Sequence, residues 1–463
     1  MFSKKIYVER RKTLAKEIGA GIILLLGNEE SPMNYADNTF NFRQDSTFLY
    51  YFGLDQANLA AIIDIDENAE LVFGNELSVE DIVWMGAQKT ITEKAELAGI
   101  GTVIPIDILH EYLTNAIKRG RQIHIISQYR AENLIQLENL LGIHTSHINK
   151  YVSAKLIKAV IKQRILKSKE EVEEIEKAIG ISYDMYIAAM KSTKEGIYER
   201  EVAGLIEGIA LSKGNGLSFP TIFSVNGEIL HNHSHSNLMK NGSLVVLDSG
   251  VETELHYASD ITRTFPVSGK FSNKQKEIYN IVLEANLEGI NAVKPGIYYK
   301  EVHLLAAKII ASGLKDLGFF KGDVDDIVHS GAYALFFPHG LGHLLGLDVH
   351  DMENYGELNT GYDESINRSE LFGLGYLRFA KELKPGHIMT VEPGIYFIPQ
   401  LIKQWEEENK FTKYINYDKA KSYIGFGGIR IEDDVLVTKT GSRVLGKPIP
   451  KTVEEIEAVM SSK

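Results

Sequence analysis

Residues 244–265 read LVVLDSGVETELHYASDITRTF, with one carboxylate at the end of an apolar run and a second at the start of the next strand-like segment. Asp is depleted in strands, so the position of Asp248 directly after LVVL needs a physical reason. A lone Asp there would more often be a turn residue that accepts hydrogen bonds from backbone N–H groups. Asp260 follows twelve positions later, a spacing that suits two adjacent antiparallel strands with both carboxylates on one face. Because two carboxylates so close repel each other unless a cation lies between them, this stretch predicts a metal site.

Histidines cluster further along the chain. Three of them lie in the segment 338–351, PHGLGHLLGLDVHD: His339, His343 and His350. Any one alone would be read as a core histidine, but three separated by glycines favour a site in which one imidazole ligates a metal and the others donate to a substrate. His231, in ILHNHSH, is a fourth candidate.

Two glutamates complete the set of ligand-type residues. Glu392 lies in TVEPGIY, where Pro-Gly ends the strand directly after the carboxylate. Glu432 lies in GIRIEDD, where strand alternation places Arg430 and Glu432 on the same face. A nearby Arg favours the ionised glutamate that binds metal, although the two residues alone would be read as an exposed ion pair of little energetic weight.

Two Asp, one His and two Glu form a set of hard oxygen and imidazole ligands: Asp248, Asp260, His343, Glu392 and Glu432. This set is too anionic for one divalent cation and suits two cations that share bridging carboxylates. No Gly-x-Ser-x-Gly elbow, Walker loop or dinucleotide fingerprint in its proper context competes with it. The sequence therefore predicts a dinuclear metallohydrolase.

Composition narrows the alternatives. A length of 463 residues predicts two domains. A formal net charge of -12 without a basic cluster argues against nucleic-acid or anionic-membrane partners, and the absence of Cys excludes disulfides and thiolate chemistry. The apolar run 22–26 is too short for a signal peptide, and no segment has the length of a membrane span. We expect a cytoplasmic protein.

The order of predicted elements places a domain boundary near residue 160. Residues 1–160 alternate short strand-like and helix-like stretches, as in a small α/β domain. A helical stretch at 155–190 restarts at a capping box formed by Ser168 and Glu171. Beyond it, the patterns predict a mixture of strands and helices: strands at 244–248, 260–265, 388–392 and 428–437, and helices at 273–292 and 300–317.

The segments DSG, DITRTF, HGLGH, VEPGIY and GIRIED together resemble those of the pita-bread metallopeptidases, in the proline-directed branch that contains aminopeptidase P and prolidase. NFRQDS at 41–46 and WMG at 84–86 resemble the auxiliary domain of that branch. The resemblance implies an α+β chain, with an auxiliary α/β domain at 1–160 and a catalytic pita-bread domain at 161–463. All five ligand positions are filled, which argues against metal-free creatinases and non-enzymatic relatives.

The resemblance also implies how the metals are used. Two divalent ions, Mn²⁺ in most of the family with Zn²⁺ or Co²⁺ as alternatives, would share Asp260 and Glu432, with His343 on one metal only. A hydroxide that bridges the metals would attack the scissile carbonyl. Glu392 resembles the carboxylate that takes the proton from the attacking water.

Further roles follow from the same resemblance. His231 and His350 would stabilise the carbonyl oxygen and the tetrahedral intermediate, and His339 would contact the substrate. Tyr396 and Arg430 resemble a hydrogen-bonding pair behind the metals. Three more residues would assist substrate binding or extend this network: Asp37, Trp84 and Arg378.

Within the branch, the sequence signals point in two directions. DITRTFP and LHNH look like aminopeptidase P, whereas the insertion at 397–426 looks like that of prolidases, which cleave only dipeptides. Arg378 matches a position that binds the substrate carboxylate in prolidases, but an Arg near it also occurs in aminopeptidase P. We favour an Xaa-Pro aminopeptidase acting on peptides with proline second, with an Xaa-Pro dipeptidase and then a silent binding module as alternatives. We expect a homodimer or a homotetramer.

Overall fold

The structure, a computed structural model that describes residues 1–462, separates into two compact units. The first contains Met1–Arg164 and Asn354–Gly356, and the second contains Ile165–Glu353 and the chain from Glu357 onward. The boundary predicted near residue 160 falls inside the last helix of the first unit. Within residues 1–462, no helix combines the length and the apolar character needed to cross a bilayer.

The first unit is built around a mixed sheet. Its elements are α1 (Lys4–Ile18), β1 (Ile22–Leu26), β2 (Pro32–Tyr35), β3 (Asn38–Thr39), α2 (Ser46–Phe52), β4 (Ala60–Asp64), β5 (Ala69–Phe73), α3 (Val79–Met85), α4 (Ile91–Leu97), β6 (Val103–Ile104), α5 (Ile108–Lys118), β7 (Ile123–His124), α6 (Ala131–Leu141), α7 (Thr145–Ile148) and α8 (Ala154–Arg164). The strands lie in the order β6-β5-β4-β1-β7, with β1 antiparallel to β4 and parallel to β7. β1 reads IILLL and is buried along its whole length, as expected for a strand with covered faces.

The second unit mixes helices with short antiparallel sheets. Its elements are α9 (Lys169–Ser192), α10 (Glu199–Lys213), β8 (Ile222–Ser224), β9 (Leu244–Ser249), β10 (Ile261–Pro266), α11 (Asn273–Ala292), α12 (Tyr299–Asp316), α13 (Val324–Ser330), α14 (Glu357–Thr360), β11 (Ile388–Val391), β12 (Gly394–Tyr396), α15 (Pro399–Glu407), α16 (Tyr417–Lys421), β13 (Gly428–Arg430), β14 (Asp433–Val437), β15 (Ser442–Val444) and α17 (Val453–Ser461). The strands form sheets in the orders β10-β9-β8, β11-β14-β15 and β12-β13.

Helix signals in the sequence agree with the structure. α9 begins after the predicted capping box, in which Ser168 and Glu171 bond to each other's backbone N–H. α11 has the predicted bounds, and α12 starts one residue earlier than predicted. Short-range patterns are sufficient here because both helices carry apolar residues at regular helical spacing.

The predicted antiparallel pairing of the Asp248 and Asp260 segments is confirmed. β9 pairs with β10 so that Thr262 lies opposite Asp248, and Asp260 immediately precedes β10. This register places two strand ends with acidic side chains next to each other, at the point where the functional site forms.

The single strand predicted for residues 428–437 is wrong, because the chain changes partners in the middle of it. β13 pairs with β12, whereas β14 pairs with β11 and β15. Between them, the N–H of Glu432 donates to the Thr262 carbonyl oxygen at 3.0 Å. The break therefore brings the Glu432 segment against β10, beside the acidic strand ends.

Candidate metal centre

The predicted ligands converge in the second unit. All five line one cleft of about 730 Å³: Asp248, Asp260, His343, Glu392 and Glu432. The Nε2 atom of His343 lies 3.3 Å from Oδ2 of Asp260 and 3.7 Å from Oε1 of Glu392. One ligand atom each from Asp260, His343 and Glu432 lies within 4.8 Å of the others. Residues from distant parts of the chain thus present oxygen and nitrogen atoms at a spacing that suits cation binding.

Hydrogen bonds fix the orientation of the imidazole ligand. Nδ1 of His343 lies 3.1 Å from the carbonyl oxygen of Leu344, a contact in which Nδ1–H is the donor. The lone pair of Nε2 then faces the carboxylates, as metal-binding histidines require. The Thr390 hydroxyl accepts from the His343 backbone N–H at 3.1 Å and donates to Oε1 of Glu392 at 3.3 Å. One hydroxyl therefore positions two ligands.

Arg430 organises the opposite side of the cluster. Its side chain is buried, with 3% of the residue exposed. Nη2 donates to Oδ2 of Asp248 at 2.6 Å, Nη1 donates to the Tyr396 hydroxyl at 2.9 Å, and Nε donates to the Thr262 hydroxyl at 3.1 Å. Thr262 in turn donates to Oε2 of Glu432 at 2.8 Å. Arg430 thus connects two of the carboxylate ligands and orients both.

The carboxyl groups of Asp260 and Glu432 resist ionisation without a cation. Burial, followed by the charges of Asp248, Asp434 and Glu392, raises the pKa of Asp260 well above its ordinary value. Burial and the neighbouring carboxylates also raise the pKa of Glu432. Within residues 1–462, no group donates a hydrogen bond to the buried Oδ1 atoms of Asp248 and Asp260. Buried carboxylate oxygens without donors fit a bound metal, which supplies the missing positive charge.

The three remaining histidines predicted to act in catalysis also line the cleft: His231, His339 and His350. Nδ1 of His339 donates to the Gly340 carbonyl oxygen at 2.7 Å, and its Nε2 lies 2.9 Å from the Tyr396 hydroxyl. The substrate contact that we predict for His339 therefore remains a prediction, because both its ring nitrogens already have partners.

His350 lies beside the ligand histidine but outside the ligand set. Its ring centre is 4.1 Å from that of His343, and its Nδ1 is 2.6 Å from Oε2 of Glu353. Burial, together with the charge of a protonated His343, lowers the pKa of His350 to about 4. His350 can therefore face a substrate while its orientation is held by Glu353.

The residues predicted to assist substrate binding lie in different places. Arg378 lines the cleft and is ion-paired with Glu353 and Glu357. Asp37 and Trp84 belong to the first unit, where both are exposed, Trp84 by 80%. Their roles at the site stay predictions.

Sequence analysis missed the two threonines that orient the ligands. Thr262 lies two residues after Asp260, and Thr390 lies two residues before Glu392, so each shares the side of its segment with a ligand. Both threonines are fully buried. A polar residue every second position in an otherwise buried strand is the signal that would have found them, because that face must meet polar groups.

We expect Mn²⁺ to raise the midpoint of thermal unfolding of chelator-treated protein by at least about 5 °C. An ion at about a hundred times its Kd adds roughly 2.7 kcal/mol per site, and it also relieves the repulsion within the cluster. Differential scanning fluorimetry with and without the ion measures the shift. Asp260→Asn, which keeps the shape and removes one charge, should show less than half of it, and an equal midpoint with ion and chelator would contradict a metal site.

Buried carboxylates, an oriented imidazole and further histidines along a peptide-sized cleft define this chain as a metallohydrolase. The sequence profile of Metallopeptidase family M24 matches residues 173–439, and that of the aminopeptidase P N-terminal domain matches residues 7–126. The chain therefore belongs to metallopeptidase family M24.

Individual relatives match along nearly the whole chain. Human Xaa-Pro dipeptidase is 32% identical over 466 residues, covering 97% of this chain and 90% of that protein. A probable Xaa-Pro aminopeptidase of Verticillium alfalfae is 34% identical, covering 96% of this chain and 93% of that protein. Aminopeptidase PepP of Pseudomonas aeruginosa has a similar structure, with a TM-score of 0.82 at 29% identity, covering 100% of this chain and 98% of that chain.

These matches confirm the resemblance seen in the sequence motifs. The predicted fold class is also confirmed: the chain has a C-terminal pita-bread metallopeptidase domain preceded by a smaller α/β domain of the aminopeptidase P type. The prediction of a metallopeptidase, as opposed to a metal-free enzyme of the same fold, agrees with the family and with the cluster of ligands.

Proposed function

We propose that this protein is a dinuclear metal-dependent Xaa-Pro aminopeptidase, which hydrolyses the bond between an N-terminal residue and a following proline. The observation that carries the proposal is the charge of the cluster. In the ionised form that binds metal, the four carboxylates and the guanidinium of Arg430 carry a net three negative charges, which exceed the charge of one divalent cation. The relatives that match 96–97% of the chain are named as Xaa-Pro peptidases, which supports the substrate class.

The chemistry of the donors indicates which ions they would hold. Carboxylates and imidazole, with no sulfur ligand, suit Mn²⁺, and Zn²⁺ or Co²⁺ are alternatives. The ligands would be Asp248, Asp260, His343, Glu392 and Glu432. When bound, such ions lower the pKa of water and polarise a carbonyl oxygen, and the remaining steps depend on the side chains of the protein.

Two kinds of side chain would act on the substrate. Glu392, whose Oε1 accepts a hydrogen bond from the Thr390 hydroxyl, would accept the proton of the attacking water. His231 would donate to the carbonyl oxygen as its negative charge develops, and His350, whose Nδ1 donates to Glu353, would do so once its Nε2 also carries a proton. Arg430 would keep Asp248 in place during this change, and Tyr396 would keep His339 in place, since each of these pairs is joined by a hydrogen bond.

The apolar part of the cleft suits a proline ring. The proline nitrogen of an Xaa-Pro bond carries no hydrogen, and the proline ring fixes φ. A site for this bond therefore needs a surface that fits the ring, and it needs no hydrogen-bond acceptor opposite the proline nitrogen. Apolar side chains that line the cleft include Phe219, Leu230, Val349, Phe372 and Ile398. These apolar side chains would contact the proline ring without requiring a hydrogen-bond donor from the substrate.

One observation favours the alternative, an Xaa-Pro dipeptidase. The insertion at 397–426 contributes α15 to the wall of the cleft, through Gln400, Leu401 and Gln404. A wall on this side would restrict substrate length if it closed the cleft beyond the proline. Substrate length therefore separates the two activities.

We expect the Mn²⁺-loaded protein to cleave tripeptides and longer Xaa-Pro peptides at least as well as Xaa-Pro dipeptides. The peptide Arg-Pro-Pro-Gly should lose its first residue, with the Pro-Pro bond intact until that residue is gone. Mass spectrometry of timed digests measures both results. If only dipeptides are hydrolysed, the insertion closes the site and the dipeptidase is the correct assignment.

A further inference from the structure

The positively charged side chains that line the cleft already form ion pairs with acidic residues of the protein. Among the described residues that line the cleft, the Lys and Arg side chains are those of Arg378 and Arg430. Arg430 is buried and donates to Asp248, Tyr396 and Thr262. A substrate carboxylate in the cleft therefore has one exposed side-chain guanidinium to meet, that of Arg378, which is one-third exposed.

Arg378 is shared between two carboxylates. Its Nη1 is ion-paired with Oε1 of Glu353 and lies 3.1 Å from Oε1 of Glu357. Glu357 also lies 2.6 Å from Arg368. The charges of Glu353, Glu357, Arg368 and Arg378 sum to zero, so this wall of the cleft offers no net positive charge to an incoming anion.

Glu353 has a second contact, with His350, which is predicted to act in catalysis. Its Oε2 lies 2.6 Å from Nδ1 of His350, so one carboxylate holds both the cleft guanidinium and a histidine of the site. Burial favours the neutral form, but the hydrogen bond to His350 and the positive charge of Arg378 lower the pKa of Glu353. Glu353 is therefore an anion at neutral pH.

A dipeptide Xaa-Pro carries its free carboxylate directly on the proline, whereas a longer peptide carries a neutral amide there. The carboxylate would approach Arg378 next to the like charge of Glu353, which is unfavourable, and the amide would not be affected. We propose that Glu353 is a specificity-determining residue that neutralises Arg378 and so directs the enzyme to peptides that continue beyond proline. This inference rests on the proposed function and adds the determinant of its substrate length.

The pair Ala-Pro and Ala-Pro-amide tests the inference, because the two substrates differ by one charge. We expect the Mn²⁺-loaded wild type to have a kcat/KM at least about tenfold higher for the amide than for the dipeptide. Glu353→Gln keeps an oxygen that accepts from His350 and removes the charge, so the dipeptide-to-amide ratio should rise by at least about tenfold. A change in positioning of His350 would alter both substrates equally and would leave that ratio unchanged.

Two further variants separate the causes. In the double variant Glu353→Gln/Arg378→Gln, the dipeptide-to-amide ratio should return towards the wild-type value. The reason is that this variant lacks the Arg378 guanidinium that Glu353→Gln makes available to the dipeptide carboxylate. Glu173→Gln, which removes a carboxylate from an exposed ion pair with Lys169 on α9, is the matched control and should leave the ratio at the wild-type value. If Glu353→Gln does not fold, Glu357→Gln removes the other carboxylate from Arg378 and should also raise the ratio.

The outcomes distinguish this inference from the proposed function. A wild type that prefers the dipeptide, or a ratio that does not move in folded Glu353→Gln, overturns the role of Glu353 while the peptidase activity stands. A wild type that cleaves neither substrate nor any longer Xaa-Pro peptide, with metal bound, overturns the proposed function and this inference with it.

Discussion

Asp260→Ala and Glu432→Ala variants should show no turnover of an Xaa-Pro peptide and should bind less metal than the wild type. Each variant removes a carboxylate that lies within the cluster and that we predict to bridge the two ions. Metal content by inductively coupled plasma mass spectrometry and turnover with Mn²⁺ measure the two effects. The loss of turnover is the largest effect that we expect from a single substitution in this chain.

Controls separate the loss of metal from a loss of folding. Without metal, removing either carboxylate relieves repulsion between buried acids, so the thermal midpoint of the chelator-treated variants should not fall below that of the wild type. Asp325→Ala, at an exposed position on α13, should keep full activity and metal content. Full activity in Asp260→Ala or Glu432→Ala, or in chelator-treated wild type, would refute the dinuclear site.

His350→Ala and His231→Ala should each lower kcat by roughly a hundredfold or more while metal content stays the same. Both imidazoles line the cleft outside the ligand set, where a donor to the developing oxyanion contributes a few kcal/mol to the transition state. Steady-state kinetics and metal analysis of the same samples measure both quantities.

His329→Ala, which changes an exposed histidine of α13, is the matched control and should behave as the wild type. The His350→Ala variant is the more stringent of the two tests, because the ring centre of His350 lies 4.1 Å from that of His343, which we predict to bind metal. If His350→Ala loses metal in parallel with activity, His350 acts as a ligand and the role assigned to it is wrong.

Much of the site could be predicted because its signals are local. Asp248 stands out because a carboxylate ends a buried apolar run, and Glu392 stands out because Pro-Gly follows it directly. The capping box at Ser168 and Glu171 marks the start of α9 within four residues of sequence. Such features depend on neighbours along the chain, and these are visible before any fold is known.

The parts that could not be predicted depend on long-range pairing. Glu353 begins a short 3-10 helix and Arg378 lies 25 positions further along in an irregular segment, so no periodicity brings them together. Glu432 belongs to a predicted continuous strand, and the break before β14 arises because its backbone bonds to Thr262, 170 positions away. Pairings of this kind follow from how loops close and sheets meet, which one sequence does not encode in a readable pattern.

The contacts of Arg430 have a consequence for how the enzyme matures in the cell. This one side chain joins Asp248 on β9, Thr262 on β10 and Tyr396 on β12, segments that leave the ribosome at very different times. The metal cluster cannot close until residue 432 has been synthesised and docked against β10. Metal binding by the full predicted ligand set therefore requires the second unit to have folded at least as far as Glu432, and we expect nascent chains to remain inactive as peptidases until that point.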